Sequence, residues 1–304
     1  MNTNPILAGF LAAALGVGLA ACGGDPTKAG SDGDSKGDAI VVGSAAFGES
    51  EILAEIYAGA LNADGIEATT RLDIDQREAY IGAIKEGSID LFPEYTGNLL
   101  LFLDPNATAT APDEVNKALE AALPKGLDIL EPSAAEDKDS LNVTAAFAKE
   151  HDVTSIADLA EVDGLKLAAN PEFKTRAYGI PGLEKLYGIT DIAFTAISDG
   201  GGPATLKALT SGKVDVADIY STTPSIAANN LVTLEDPKNL IAAQNVVPLI
   251  REDATSEKVA AVLDEVSEKL TTEALLELNT ALAGPSKPSA AKVAEQWLKA
   301  NGFA

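Results

Sequence analysis

The segment AIKEGSIDLFPEYTG, residues 83–97, is repeated in outline by ALTSGKVDVADIYST, residues 208–222. Four residue types recur at the same spacing: Ala83, Gly87, Asp90 and Tyr95 in the first segment, and Ala208, Gly212, Asp215 and Tyr220 in the second. Each segment predicts a helix that ends at a left-handed glycine and continues into a short apolar strand. The carboxyl ends of strands border the ligand crevice of open α/β sheets, so we expect both tyrosines there. A generic helix–glycine–strand unit would also produce this pattern.

Strands and helices alternate on both sides of the first segment. AIVVGS (39–44) and GIEATTRLDI (65–74) read as strands, and residues 50–62 and 76–86 read as helices. The alternation restarts at GLKLAANPEF (164–173), with a helix over 182–187, a strand over 191–197 and a helix over 205–211. This order predicts an α/β protein of two similar lobes, each a mostly parallel sheet flanked by helices.

The chain is expected to cross between the lobes twice, near residues 141–145 and 245–249. Residues 39–142 and 246–304 would then form lobe 1, and residues 143–245 lobe 2. The last part of the chain is predicted to be helical, with one apolar face that packs on the core: Val259, Val262, Leu263, Val266 and Leu270.

The N-terminal residues have the pattern of an export signal. Residues 6–21 are almost wholly apolar or small and the first charge is Asp25, which predicts a signal peptide over residues 1–21. The segment before them, MNTNP, departs from that pattern because it has no Lys or Arg. LAAC ends at Cys22 and resembles the lipobox of bacterial lipoproteins, so we expect lipidation of Cys22. Residues 22–38 are rich in Gly, Asp and Ser and read as a flexible tether.

Composition excludes several classes of function. The formal charge of −24 disfavours nucleic acid as a partner, because phosphate contacts need clustered Lys and Arg. Cys22 is the only cysteine and His151 the only histidine, so a thiol nucleophile, a catalytic histidine triad and a zinc site are not expected. We therefore expect no enzyme, no metal and no cofactor.

Four motifs, in order along the chain, carry a resemblance to a known family. They are VGSAAFGESEILAEIY (42–57), IDLFPEYTG (89–97), PEFKTRAYG (171–179) and ADIYSTTPSIAANNLVTLEDPKN (217–239). In these motifs the chain resembles the substrate-binding lipoproteins of osmoprotectant (glycine betaine, choline, carnitine) ABC importers. The resemblance implies a type II periplasmic-binding fold, a monomer that is lipid-anchored on the extracytoplasmic face of the membrane, and a permease with its ATPase as partners.

The implied ligand is a quaternary ammonium compound, with another polar zwitterion, such as an amino acid or a betaine-like thione, as the alternative. A quaternary ammonium has no N–H group, so aromatic faces must recognise it. Tyr95 and Tyr220 are the expected walls of that cage, one from each lobe. Arg176 matches the family's carboxylate-binding arginine. Glu94 is expected either to pair with Arg176 across an empty cleft or to cap the next helix.

Other positions depart from the family pattern. GSAAF at residues 43–47 replaces the family's frequent GSKNF and retains Phe47, and Asn98 replaces a threonine, so fewer groups are expected to hold a carboxylate. Asp137, Asp139 and Gln244 lie where tight betaine binders carry cage tyrosines. If these side chains reach the pocket, they favour an amine-bearing or more polar ligand; otherwise they are surface groups.

Overall fold

The structure is a computed structural model that describes residues 39–303. The predicted signal peptide, the tether over 22–38 and Cys22 lie outside these residues. The strands are β1 (Ile40–Gly43), β2 (Ala68–Arg71), β3 (Leu91–Tyr95), β4 (Leu127–Ile129), β5 (Leu141–Thr144), β6 (Leu165–Ala169), β7 (Ile192–Ala196), β8 (Val216–Asp218), β9 (Leu231–Thr233) and β10 (Val246–Arg251).

The helices follow the predicted alternation. They are α1 (Gly48–Ala63), α2 (Arg77–Lys85), α3 (Thr96–Leu103), α4 (Pro112–Ala122), α5 (Ala145–His151), α6 (Ile180–Gly182), α7 (Pro203–Thr210), α8 (Ser225–Ala228), α9 (Glu257–Lys269), α10 (Thr272–Leu282) and α11 (Ala290–Ala300). Short 3-10 turns occupy Ile156–Glu161, Pro171–Lys174 and Glu252–Ala254, and α6 continues into a π turn over Leu183–Tyr187. None of the helices within residues 39–303 has the length and apolar character needed to span a bilayer.

The strands form two sheets with the same plan. The first sheet has the order β2-β1-β3-β10-β4 and the second β7-β6-β8-β5-β9. In each sheet four strands run in one direction and one runs against them, β10 in the first and β5 in the second. The mostly parallel, two-lobed prediction is therefore confirmed. The antiparallel strand of each sheet is the one that the chain enters from the other sheet.

The two repeated segments fold identically at their helix ends. Gly87 and Gly212 both have φ of +73°, the left-handed conformation that glycine adopts without steric cost. The residue after each glycine donates its backbone N–H to the carbonyl of the repeated alanine, Ala83 or Ala208, at 3.0 Å. Both helices thus end in the same Schellman arrangement, and the chain leaves each helix in the same direction.

The repeated aspartates fasten each central strand to its parallel neighbour. Asp90 Oδ2 accepts a hydrogen bond from the backbone N–H of Val41 at 2.9 Å, and Asp215 Oδ2 accepts one from Lys166 at 2.9 Å. The register set at the start of β3 and β8 is therefore the same in both sheets. As a result, Tyr95 and Tyr220 lie at the carboxyl ends of equivalent strands.

The lobe boundary that we expected between residues 142 and 143 falls inside β5. All of β5 pairs within the second sheet, since Leu141 lies opposite Asp218 and Asn142 opposite Ala217. The first passage between the sheets therefore ends before Leu141. The C-terminal helices return to the first sheet, and the predicted apolar face is confirmed. Val259, Leu263, Val266 and Leu270 are buried in the core that includes α1, and Val262 packs against it half-buried.

Candidate functional site

A cavity lies between the two sheets and is lined by residues from both. Seven of the eight residues that we predicted as ligand contacts line it, and Gln244 is the exception. The full lining is Ala45, Phe47, Ser50, Gln76, Arg77, Tyr80, Phe92, Pro93, Tyr95, Asn98, Asp137, Asp139, Arg176 and Tyr220.

Three aromatic rings form one wall of this cavity. Phe47 lies between the two repeated tyrosines, with its ring centroid 6.2 Å from that of Tyr95 and 5.5 Å from that of Tyr220. The Phe47 and Tyr220 rings meet edge to face, at an interplanar angle of 69°. A cation in this cavity would therefore face three rings carried by two different sheets.

The backbone fixes each ring at an element boundary. Phe47 is the residue that precedes α1, and Tyr95 is both the last residue of β3 and the residue that precedes α3. Asn170, which follows β6 in lobe 2, fixes the position of Tyr220. Its Nδ2 donates to the Tyr220 hydroxyl at 3.0 Å, and its Oδ1 accepts from the Gly200 N–H at 3.1 Å. Gly200 has φ of +60°, and a methyl group there would touch both Phe47 and Tyr220 at 3.4 Å.

Glu94 pairs with Arg77, which corrects both of the roles considered for it. Its two carboxylate oxygens accept from Arg77 Nε at 2.8 Å and Nη2 at 2.9 Å, and the pair is almost completely buried. Glu94 also accepts from the Tyr80 hydroxyl at 2.8 Å and from the Tyr95 N–H at 2.9 Å. A buried carboxylate with four donors holds the start of α2 against the end of β3.

Arg176 lines the cavity from the second sheet's side. Its Nη1 donates to the Tyr178 hydroxyl at 2.8 Å, and its Nη2 lies 3.3 Å from Glu78 on α2. The Glu78 side chain is half exposed, so this ion pair contributes little to stability.

Gln244 lies behind the cavity wall and supports Asn98. The Gln244 Oε1 accepts from the Asn98 N–H at 2.9 Å, and its Nε2 donates to Asn98 Oδ1 at 2.8 Å. Asn98 in turn donates from Nδ2 to Asp139 at 2.9 Å. The fully buried Gln244 therefore positions a wall residue and is not itself part of the cavity lining.

The acids that the sequence left undecided do reach the cavity. Asp137 accepts from the Thr222 N–H at 3.0 Å and from the Ser221 hydroxyl at 3.2 Å. Burial, together with the nearby charge of Glu49, raises the pKa of Asp137 well above its ordinary value. Asp139 lies beside Asn98, so the cavity has a carboxyl-rich side next to the rings.

Comparison with known proteins shows the family of this chain. Residues 38–300 match the model of the family described as the substrate binding domain of ABC-type glycine betaine transport systems. The chain belongs to this family. It is a family of transport proteins and not of enzymes.

One sequence relative and two solved structures show how far the likeness extends. The chain is 32% identical, over 280 residues, to the glycine betaine-binding protein YehZ of Escherichia coli strain K12, covering 87% of this chain and 91% of that protein. The solved structure of apo YehZ from Escherichia coli superposes with a TM-score of 0.64 at 29% identity, covering 88% of this chain and 100% of that chain. A structure described as a glycine betaine/carnitine/choline ABC transporter shares the fold, with a TM-score of 0.69 at 22% identity, over 87% of this chain and 99% of that one.

Two charged residues of this family member were missed from sequence. Arg77 lies on the same face of α2 as Tyr80, Ile81 and Ile84, which follow it in sequence. Glu49 lies on the same face of α1 as Ile52, Leu53 and Ile56. All of these side chains are buried. The available signal was a charged residue in the first turn of a helix, on the same face as the buried apolar residues. Such a charge points into the protein and must therefore contact a polar site or a partner.

Proposed function

We propose that this chain is the solute receptor of an ABC importer and captures a quaternary-ammonium osmoprotectant, glycine betaine, choline or a similar compound, between its two lobes. The observation that carries the proposal is the set of three rings, Phe47, Tyr95 and Tyr220, at one cavity. Each ring contributes about 0.5–2 kcal/mol toward a desolvated quaternary ammonium. The receptor makes and breaks no covalent bond, and ATP hydrolysis belongs to a separate subunit of the importer.

Closure of the lobes is the proposed mechanism of capture. Tyr95 ends β3 and Tyr220 follows the end of β8, the central strands of different sheets, so the aromatic wall is complete only when the two sheets are close. A ligand that contacts both lobes favours the closed state by its differential affinity. The first moving unit is residues 39 to about 139 together with 246–304, and the second is residues from about 140 to 245. With these bounds β5 moves with the sheet in which it pairs.

The first experiment identifies the ligand. Small molecules that copurify with the protein are released by denaturation and identified by mass spectrometry. Calorimetric titration then compares glycine betaine, choline, carnitine, proline betaine and a set of amino acids. Binding of quaternary ammonium compounds supports the proposal, and binding of amino acids alone refutes it.

A second candidate ligand is another polar zwitterion, such as an amino acid or a betaine-like thione. Asp137, Asp139 and Asn98 favour it, because their oxygens accept hydrogen bonds that a trimethylated nitrogen cannot donate. The same titrations, with a betaine-like thione added to the set, separate the two candidates.

We also propose that Cys22 carries a lipid that holds a monomeric receptor on the extracytoplasmic face of the membrane. LAAC at residues 19–22 and the preceding apolar segment support this proposal. Metabolic labelling with a fatty-acid analogue tests it: label should enter the wild type and be absent from Cys22→Ser. Equal labelling of both proteins would refute it. Size-exclusion chromatography of the purified protein tests whether it is a monomer.

A further inference from the structure

Glu49 is a buried residue that connects the two lobes beside the aromatic wall. It lies in the first turn of α1, two residues after Phe47, and is 4% exposed. Its Oε1 accepts from the Tyr95 hydroxyl at 2.6 Å, and its Oε2 accepts from the Thr222 hydroxyl at 2.7 Å and from Asn279 Nδ2 at 2.6 Å. Tyr95 and Asn279 belong to lobe 1 with Glu49, whereas Thr222 belongs to lobe 2. The hydrogen bond between Glu49 and Thr222 therefore crosses from one lobe to the other.

Thr222 provides the lobe 2 end of this connection. It follows Tyr220 by two residues in the loop after β8, and it is 2% exposed. Its hydroxyl donates to Glu49 and accepts from Asn279 Nδ2 at 3.0 Å, and its backbone N–H donates to Asp137 at 3.0 Å. Glu49, Thr222 and Asn279 thus form an inter-lobe bridge, a buried network of hydrogen bonds among three side chains.

Each ring of the aromatic wall is attached to the inter-lobe bridge. Phe47 precedes Glu49 by two residues along the chain, and Tyr95 is attached through its hydroxyl. Tyr220 is attached through the two residues of chain that lead to Thr222. None of the three bridge residues lines the cavity. The bridge therefore fixes the rings relative to one another from outside the cavity, and such support lowers the freedom that the rings lose when a ligand binds.

The bridge differs from the ion pair that also crosses between the lobes. Arg176 of lobe 2 pairs with Glu78 of lobe 1, but the Glu78 side chain is half exposed, and exposed pairs contribute little. Glu49 and Thr222 are both buried. A buried hydrogen bond to a carboxyl group is stronger than an exposed one and is costly to leave unmade. Breakage of the inter-lobe bridge should therefore have a measurable effect on closure.

We propose that the inter-lobe bridge positions the aromatic rings for the quaternary ammonium group of the solute and stabilises the closed state that holds it. Glu49 is then a positioning residue that does not itself contact the solute. The inference rests on the proposed function, because it assumes that a quaternary ammonium compound binds at the rings. Opening of the lobes separates Thr222 from Glu49, so loss of the bridge lowers the population of the closed state and lowers the apparent affinity by the same factor.

The expected signature is an equal loss for ligands that differ at their other end. Choline and glycine betaine share the trimethylammonium group that the rings face, and the bridge contacts neither the hydroxyl of choline nor the carboxylate of betaine. Breakage of the bridge should therefore weaken both ligands by the same factor. A change at Arg176, in contrast, should alter the ratio of the two affinities.

The first experiment is calorimetric titration of the purified full chain and its variants with choline and with glycine betaine. Thr222→Val keeps the size of the side chain and removes the hydroxyl, whereas Thr222→Ser keeps the hydroxyl. We expect Thr222→Val to weaken both ligands by about tenfold or more, and Thr222→Ser to stay within about threefold of wild type. Thr223→Val makes the same change one residue along, outside the bridge, and should bind as wild type.

A double-mutant cycle tests whether Glu49 and Thr222 act as one unit. Glu49→Gln replaces an acceptor oxygen by an amide donor, so it should also weaken both ligands by about tenfold. Once one change has broken the bridge, the second should cost little, and the double variant should bind within about threefold of the weaker single variant. Losses that multiply would overturn the inference. Glu51→Gln, which makes the same change on α1 outside the bridge and the cavity lining, is the matched control.

The outcomes separate the two proposals. If neither choline nor betaine binds to the wild type, the proposed function is wrong. If the wild type binds and Thr222→Val lowers only the free energy of unfolding in urea, with both affinities unchanged, the bridge has a purely structural role and this inference is overturned while the proposed function stands. A loss confined to one of the two ligands would also overturn it. The comparison of Thr222→Val with Thr222→Ser decides the matter even if Glu49→Gln fails to fold.

Discussion

Replacement of Tyr220 tests whether the aromatic wall recognises positive charge. Tyr220→Ala removes the ring that meets Phe47 at 5.5 Å, whereas Tyr220→Phe keeps the ring and removes only the hydroxyl that accepts from Asn170. Comparison of the two variants therefore separates the contribution of the ring to binding from that of the hydrogen bond to its hydroxyl.

The structure sets the size of each effect. A desolvated cation–ring contact contributes about 1–2 kcal/mol, so Tyr220→Ala should weaken choline binding by about 5- to 30-fold. Tyr220→Phe loses one neutral hydrogen bond, worth about 0.5–1.5 kcal/mol to stability, and leaves the ring in place. Its choline affinity should change by less than about fivefold.

The assay is calorimetric titration with choline and with 3,3-dimethyl-1-butanol, its uncharged carbon analogue. Loss of apolar contact affects both ligands equally, so the choline-specific part of the loss in Tyr220→Ala measures the charge–ring interaction. We expect that difference to be about 1 kcal/mol or more. Equal losses for the two ligands, or equal losses for the Ala and Phe variants, would show that the ring does not act on the charge.

Three further predictions use other parts of the structure. Arg176→Ala should weaken glycine betaine binding at least about tenfold more than choline binding, because only betaine has a carboxylate; equal losses in titration would assign Arg176 a structural role. Arg77→Ala leaves Glu94 buried without a counter-ion and should cost about 3–5 kcal/mol in urea unfolding, and a loss under about 1 kcal/mol would contradict that reading. Gly212→Ala places a side chain in a left-handed conformation with no atom within 4 Å, so unfolding should show a loss of about 1–2 kcal/mol from backbone strain alone.

Part of the site was predictable because it depends on local chemistry. A left-handed glycine, an apolar strand and a tyrosine at its end are set by neighbouring residues, and the duplication revealed that the same local unit occurs in both sheets. The positions of Tyr95 and Tyr220 at the cavity followed from that unit alone. Arg77 and Glu49 were within reach of the same reasoning, since each continues a buried helix face.

The sequence by itself thus determined the alternation of strands and helices, the duplicated unit and the strand ends at which a ligand can bind. All three depend on interactions over a few residues. Only the tertiary structure decided which side chains meet there. The Arg77–Glu94 pair, the Gln244 support behind Asn98 and the hydrogen bond from Asn98 to Asp139 join residues that are distant along the chain. Such contacts depend on how two sheets pack, and a pattern of spacing within one segment carries no information about the distance to another.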